Sequence, residues 1–298
     1  MRRTLLIMLA ILPGCRAPAQ RQAPTIEEIR GATCAGILDQ PIQFADGRWE
    51  GEPGMMVALE EGLYLAGDLR GDGGRQAAVL LHETTGGSGG FEHLAVMEIA
   101  GKGVLCLAAA RIGDRIQIRS AALDGKRIRL GVIQQGPDDP MCCPTRKVSR
   151  SWIFTGAELT EEPAVDEGTF SIDDLAGTAW VLRSWDSAGG LESLPEITLS
   201  FEKGRVAGRS SCNQYAASII PGPAPGELSL DPITTTRKGC EDPLMRLEQS
   251  YLTALEHVTH AGFEATRLTL ISDQENVIDT MIFEPRQPGS DNGNGKRP

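Results

Sequence analysis

The sequence predicts a mainly β (α+β) chain of two β-rich domains, the second an antiparallel β domain with one packed helix. Three observations lead there. Glycine at 35 positions and proline at 18 favour turn-rich β structure, and an apolar share of 41% over 298 residues leaves room for two cores. Arg115–Arg119 and Arg127–Val132 alternate strictly, which places Ile116, Ile118, Ile128, Leu130 and Val132 on one buried face. One segment only, running from Asp242 to Val258, carries a clear helical period.

The chain begins with Arg2 and Arg3 before an apolar run from Leu5 to Leu12. That run falls short of the ~20 residues of a bilayer anchor but suits an export signal. Two processing sites compete within residues 1–19. Leu12-Pro13-Gly14-Cys15 reads as a lipobox that would make Cys15 the lipidated first residue, and Ala17-Pro18-Ala19 reads as an ordinary cleavage site before Gln20. The first predicts an outer-membrane lipoprotein facing the periplasm, with the membrane engaged through an N-terminal lipid anchor. The second predicts a soluble periplasmic or secreted protein. Besides Cys15 there are six cysteines, an even number that suits an oxidising compartment. Cys142 and Cys143, being neighbours, are expected to bond Cys34 and Cys106 in either connectivity, and Cys212 is expected to bond Cys240.

Residues 20–24 are a polar tether, and 25–160 read as successive short strands punctuated by glycine. Met56–Leu65, Ala77–His82, Leu94–Ile99 and Val104–Ala108 are its apolar runs, Asp124-Gly125-Lys126 is a hairpin turn, and Trp152 and Phe154 lie on a closing strand. Glu158 to Gly168 is acidic, contains Pro163 and lacks apolar periodicity, which places the domain boundary there, with 161–174 as the linker. The second domain spans 175–285, with strands at Thr178–Trp185, Glu196–Glu202, Gly204–Gly208, Glu227–Thr234, Arg267–Ser272 and Val277–Glu284. Its helix has Asp242 as N-cap and Pro243 at the first position, where a missing N–H is harmless. Leu244, Leu247, Tyr251, Leu255 and Val258 form the packing stripe. Residues 286–298, rich in Gly, Asn, Pro and charge, predict a disordered tail.

The second domain carries an ordered series of motifs: Leu175-Ala176-Gly177-Thr178-Ala179-Trp180, Ile197–Phe201, Val206-Ala207-Gly208 and Cys212-Asn213-Gln214-Tyr215. Thr236 and Cys240 follow, then Met245, Glu248, Tyr251, Leu252, Ala254 and Leu255, then Leu268-Thr269-Leu270 and Phe283. In these residues the segment resembles a META domain, the module of HslJ-like bacterial envelope lipoproteins. Ser211 stands where such domains usually have Gly, and Arg237-Lys238-Gly239 replaces the usual approach to the second cysteine. The resemblance implies a compact β domain with one helix, no established catalytic activity, and a role in envelope stress tolerance. The N-terminal region, with Gly67–Gly73, Gly86–Gly89, Gly113–Arg115 and Cys142–Thr145, resembles a region of uncharacterised bacterial envelope proteins.

Each reactive pattern has a plainer reading beside it. Asp68-Leu69-Arg70-Gly71-Asp72-Gly73 has the outline of a calcium loop, but a cation occupies its third position, so a hairpin turn is expected. Gly86-Gly87-Ser88-Gly89-Gly90, near His82, Glu83 and His93, matches a nucleophile elbow without the strand–helix context that a hydrolase needs. His257 and His260 could join Cys212 and Cys240 around zinc, against which stands the disulfide. Asp138-Asp139 and Glu161-Glu162 read as solvated carboxylates. Trp180, Trp185 and Phe201 are candidates to line a ligand groove. A net charge of −11 without a basic, aromatic-laced patch predicts no nucleic-acid partner. The reading is an exported, non-enzymatic envelope protein with no metal and no cofactor, in a binding or structural role toward an envelope protein or lipid. The alternatives are a pilotin- or inhibitor-like module that binds a protein or lipid, and a Ser88-dependent hydrolase.

Overall fold

A computed structural model describes residues 22–140, 143–187 and 196–286 of the chain. Cys15, both processing sites, Cys142 and the tail beyond 286 lie outside the described residues. Thr25 and Glu28 form a capping box that starts a short helix, α1 (Ile26–Ile29). The strands that follow are β1 (Thr33–Cys34), β2 (Ile42–Gln43), β3 (Arg48–Glu50), β4 (Met55–Gly67), β5 (Gln76–Thr85), β6 (Gly90–Ala100) and β7 (Gly103–Asp114). They form one sheet in the order β2-β1-β7-β6-β5-β4-β3, with β1 and β7 parallel and the other pairs antiparallel. Both faces of its centre are buried. Ala78, Leu80, Leu94 and Val96 face a second sheet, while Ala77, Val79, Leu81, Ala95 and Met97 pack with Ile29, Ile42 and Phe44. That is why β5 and β6 read as nearly unbroken apolar runs rather than alternating strands.

The second sheet comprises β8 (Gln117–Asp124), β9 (Arg127–Gln134), β10 (Arg146–Phe154), β11 (Leu159–Glu161) and β12 (Val165–Thr169). Its inward residues, among them Ile118, Ile128, Leu130, Val132 and Trp152, complete the sandwich core. The segment 161–174, expected as a linker, holds β12, which pairs with β10, and a 3-10 turn at Ile172–Leu175. Its acidity has a local cause, since Asp166 meets Arg146 and Glu167 meets Arg119 on β8.

The third sheet contains β13 (Ala179–Trp185), β14 (Ile197–Glu202), β15 (Arg205–Ser210), β16 (Gln214–Pro221), β17 (Leu228–Leu230), β18 (Thr234–Thr235), β19 (Val258–Glu264), β20 (Arg267–Gln274) and β21 (Val277–Pro285). Its order is β17-β16-β15-β14-β13-β21-β20-β19, with β18 on β16. A bridge between Glu227 and His260 and a hydrogen bond from Ala261 N to Gly226 O bring the two edges together into a nearly closed barrel. Helix α2 (Asp242–Glu256) packs against this barrel through Tyr251, Ala254 and Leu255. Its N-cap is Glu241 rather than Asp242, with no side-chain cap. The helical stripe also runs past the helix, because Val258 belongs to β19.

The fold is therefore mainly β, with a two-sheet N-terminal unit and a C-terminal barrel bearing one long helix. The units are joined by the tip of the β19–β20 hairpin. Ala265 and Thr266 take positive φ of 45° and 74°, and Ala265 is buried in the N-terminal core. Thr266 N donates to Ile118 O at 2.9 Å, Thr266 Oγ1 to Gly62 O at 2.7 Å, and Phe263 N to Gln117 Oε1 at 3.0 Å. Gly62 lies in a bulge of β4, and a Cβ there would come within 2.5 Å of Ala265 O.

Candidate binding site

The turn between β15 and β16 is organised by one carboxylate. Glu248 projects from α2 into it and accepts from Ser210 Oγ at 2.8 Å, Asn213 N at 2.7 Å and Asn213 Nδ2 at 2.8 Å. Asn213 Oδ1 in turn accepts from Thr236 Oγ1 at 2.7 Å and Lys238 N at 2.8 Å, tying down the strand that leads to α2. Burial pushes the Glu248 carboxyl up, but the donors on Asn213, Ser210 and Cys212 outweigh it and hold the group below the usual carboxylate range. The Cys212–Cys240 disulfide closes the same knot, with Cα atoms 6.2 Å apart. Beneath it, Tyr251 and Tyr215 share a hydroxyl–hydroxyl bond of 2.8 Å, and Tyr215 OH reaches Thr198 O at 2.9 Å. Gly208 makes room for that phenol, because a Cβ there would come within 2.8 Å of it and within 1.9 Å of Thr198 O.

Two concave surfaces flank this framework. A trough of about 750 Å³ runs across the outer face of β13 to β16, floored by Ala179, Ser200, Ala207 and Ala216 and rimmed by Arg209 and Gln214. A cleft of about 570 Å³ lies between the two units. The N-terminal unit contributes Tyr64, Leu65 and Arg119 to its walls, and the barrel contributes Phe170, Trp180, Phe263 and Arg286. The Phe170 and Phe263 rings meet edge to face at 5.9 Å, and Trp180 lies 6.2 Å from Phe263. Trp180 and Arg286 border both surfaces.

The META domain family model matches residues 173–283. The matched region takes in the barrel, α2 and the whole Glu248 knot. No curated protein matches this chain. One solved structure, an NMR structure of a protein from Burkholderia xenovorans, is similar at 25% identity over 38% of this chain and 84% of that one, with a TM-score of 0.31.

Within the META region, Trp180, Trp185 and Phe201 are all buried in the barrel core and do not gather into one groove. Trp180 and Phe201 turn inward by alternation, and the bulge between Leu182 and Ser184 brings Trp185 to the same face. Trp185 donates from Nε1 to Asp279 and packs on Tyr251, while Trp180 alone borders the cleft. His257 caps α2 and lies against Thr253 O, whereas His260 is on β19 near Glu227, so no shared helix end presents them together. Cys212 and Cys240 are bonded to each other, which removes them as metal ligands.

In the N-terminal unit, Cys34 is bonded to Cys106, which overturns the expected pairing of each with Cys142 or Cys143. The cause is topological. β1 inserts parallel to β7 and brings the two cysteines to neighbouring strands, 72 residues apart in sequence. Cys143 is also disulfide-bonded. Asp68 is occupied by its own turn, accepting from the amides of Gly71, Asp72 and Gly73, and Arg70 pairs with Glu98. His82 is held by Glu92 and His93 by Glu83, each at 2.7 Å, while Arg115 donates to Ser88 O across the glycine loop. Asp139 is not simply solvated, since it accepts from Gly136 N, Thr145 N and Thr145 Oγ1 and organises its loop. Glu161 and Glu162 pair with Arg150 and Arg127.

The sequence analysis names Asn213, Thr236 and Glu248 within the family motif but does not bring them together as the knot around Glu248. Its signal was available, because Glu248 interrupts the apolar stripe one turn before Tyr251, where a carboxylate needs buried donors. Among the described residues no helix is long and apolar enough to cross a membrane. The disulfides fit an oxidising, exported environment.

Proposed function

We propose that this chain is a non-enzymatic, exported binding protein of the cell envelope, tethered through Cys15 and acting in envelope stress tolerance, whose ligand is an amphiphile. The observation that carries the reading is the shared cleft. Neither unit forms it alone, and aliphatic and aromatic side chains line it beside Arg119, Asp174 and Arg286. Arg119 is paired with Glu167 and Arg286 faces Glu196, so an anionic head would have to share these guanidinium groups with their carboxylates. Its size falls within the range of small-molecule sites, ~300–1,000 Å³. The resemblance to META domains implies no established catalytic activity, and His82 and His93, on the strands that flank the Ser88 loop, are each held by a carboxylate. Native mass spectrometry of the full chain mixed with palmitate or a lysophospholipid tests the reading. Uptake is expected in the wild type and is expected to be lost in Ser120→Trp, which fills the cleft from an exposed wall position. A wild type that takes up neither amphiphile refutes the assignment. That result would favour a second reading, a protein partner laid across the trough, for which the floor of small side chains speaks.

A further inference from the structure

The β19–β20 turn is seated in the other unit's core, and charged groups from both units meet beside it. Glu60 on β4, His82 on β5 and Glu92 on β6 come from the N-terminal unit, and Glu264 and Arg267 come from the hairpin. His82 Nδ1 lies 2.7 Å from Glu92 Oε1. Arg267 pairs with Glu264 and reaches Glu60 at 3.8 Å. Three carboxylates therefore share one fixed cation and one imidazole. Glu92 Oε2 and Arg267 Nε are both buried without a hydrogen-bond partner. Holding the partly buried Glu60 beside the buried Glu92 and near Glu264 is unfavourable unless a proton is taken up.

We propose that the seat of this hairpin is proton-linked, holding more tightly at mildly acidic than at neutral or alkaline pH, with Glu60 as the principal proton acceptor. This goes beyond the amphiphile reading and does not depend on it.

The sign follows from what crosses the joint. Desolvation raises the Glu60 pKa most, Glu264 and then Glu92 add to it, and His82 and Arg267 offset only part. Withdrawal of the hairpin would expose Glu60 and take away both Glu264 and Arg267. Desolvation and Glu264 outweigh the guanidinium, so the seated state binds the proton more tightly than the released one. Seating is therefore favoured as pH falls through the raised Glu60 pKa, which lies above 4.5, and is weakened as pH rises above it. His82 is raised as well, first through its hydrogen bond to Glu92. That bond lies within the N-terminal unit and survives release, so His82 is linked to seating through the pull of Glu264, against which any burial by the hairpin works. The Glu264 part acts in the same direction as Glu60 and is lost as pH rises through the raised His82 pKa. Glu60 therefore sets the slope.

Native-state hydrogen exchange on the full chain, without ligand, tests this through the Thr266 amide, whose bond to Ile118 O spans the joint. After correction for intrinsic exchange, protection is expected to be at least about threefold higher at pH 5 than at pH 8. Glu60→Gln is expected to keep high protection at both pH values. Glu264→Gln, at an exposed position, is expected to flatten the slope, and amides of β14 and β15 to show none. Equal wild-type protection at the two pH values overturns the proposal, as does a wild-type slope retained in Glu60→Gln. If Glu60→Gln does not fold, Glu264→Gln decides, and a slope as steep as the wild type's overturns it.

Discussion

In the N-terminal unit β5 and β6 are buried on both faces, and their cohesion comes from apolar filling between and beneath two sheets. In the META region β14, β16 and β20 bury alternate residues on one face, and the approach to α2 is held by a carboxylate, an amide, hydroxyls and a disulfide. The first unit relies on non-directional burial, each large side chain contributing about 1.5–3 kcal/mol. The second relies on directional bonds that fix one turn against one helix. The difference teaches where each should fail. Volume changes should damage the sandwich, and changes of charge or proton count should damage the knot.

The largest expected effect is that of Trp152→Ala, a fully buried ring in the sandwich. It should destabilise the protein by about 4 kcal/mol in denaturant titration, because the surrounding sheets can refill the space only partly. A loss below about 1 kcal/mol would break the contrast at its apolar end. Cys212→Ser should lower stability by about 3 kcal/mol, with exchange protection falling chiefly in the META region. Unchanged protection there would show that the hydrogen bonds hold the knot without the staple. Glu248→Gln is the subtlest, at about 2 kcal/mol, because it turns an amide NH₂ toward groups that are already donors. It also sharpens the contrast through pH. The Glu248 carboxyl is depressed in the folded state, so its stabilisation is present above 4.5 and is lost as pH falls through its lowered pKa. Acid titration of unfolding should show that loss in the wild type and not in Glu248→Gln. Glu60, at the joint, has the opposite sign.

Much of the architecture was legible because the strands announce themselves in two ways. Ile116 to Val132 alternate and sit on one buried face, and the β5 and β6 runs lack alternation because both their sides are covered. β16 escaped notice because Gln214–Pro221 mixes small and polar residues on an open face, and β19 because Val258 continues the α2 period by coincidence. β12 was hidden by exposure. All five of its residues face solvent, and its acidic residues answer arginines on other strands. The Cys34–Cys106 bond depends on a parallel insertion of β1 that no local pattern encodes. The cleft was beyond reach for the same reason, since its walls converge only when the hairpin tip enters the other unit.

Phe170 follows directly after β12, which belongs to the sandwich, yet its ring packs in the barrel core against Phe263. Its backbone N–H donates to Thr145 O in the N-terminal unit. One residue thus has its main chain hydrogen-bonded to one unit and its side chain packed in the other, and no peptide bond nearby can be cut without damage to one of them. A proteolytic or recombinant fragment that starts where the family match begins, at residue 173, would leave an aromatic vacancy beside Phe263 and strip the cover from Ala265. The two units are thus modular in sequence and joined in mechanics, and they should melt as one cooperative body rather than as beads on a string.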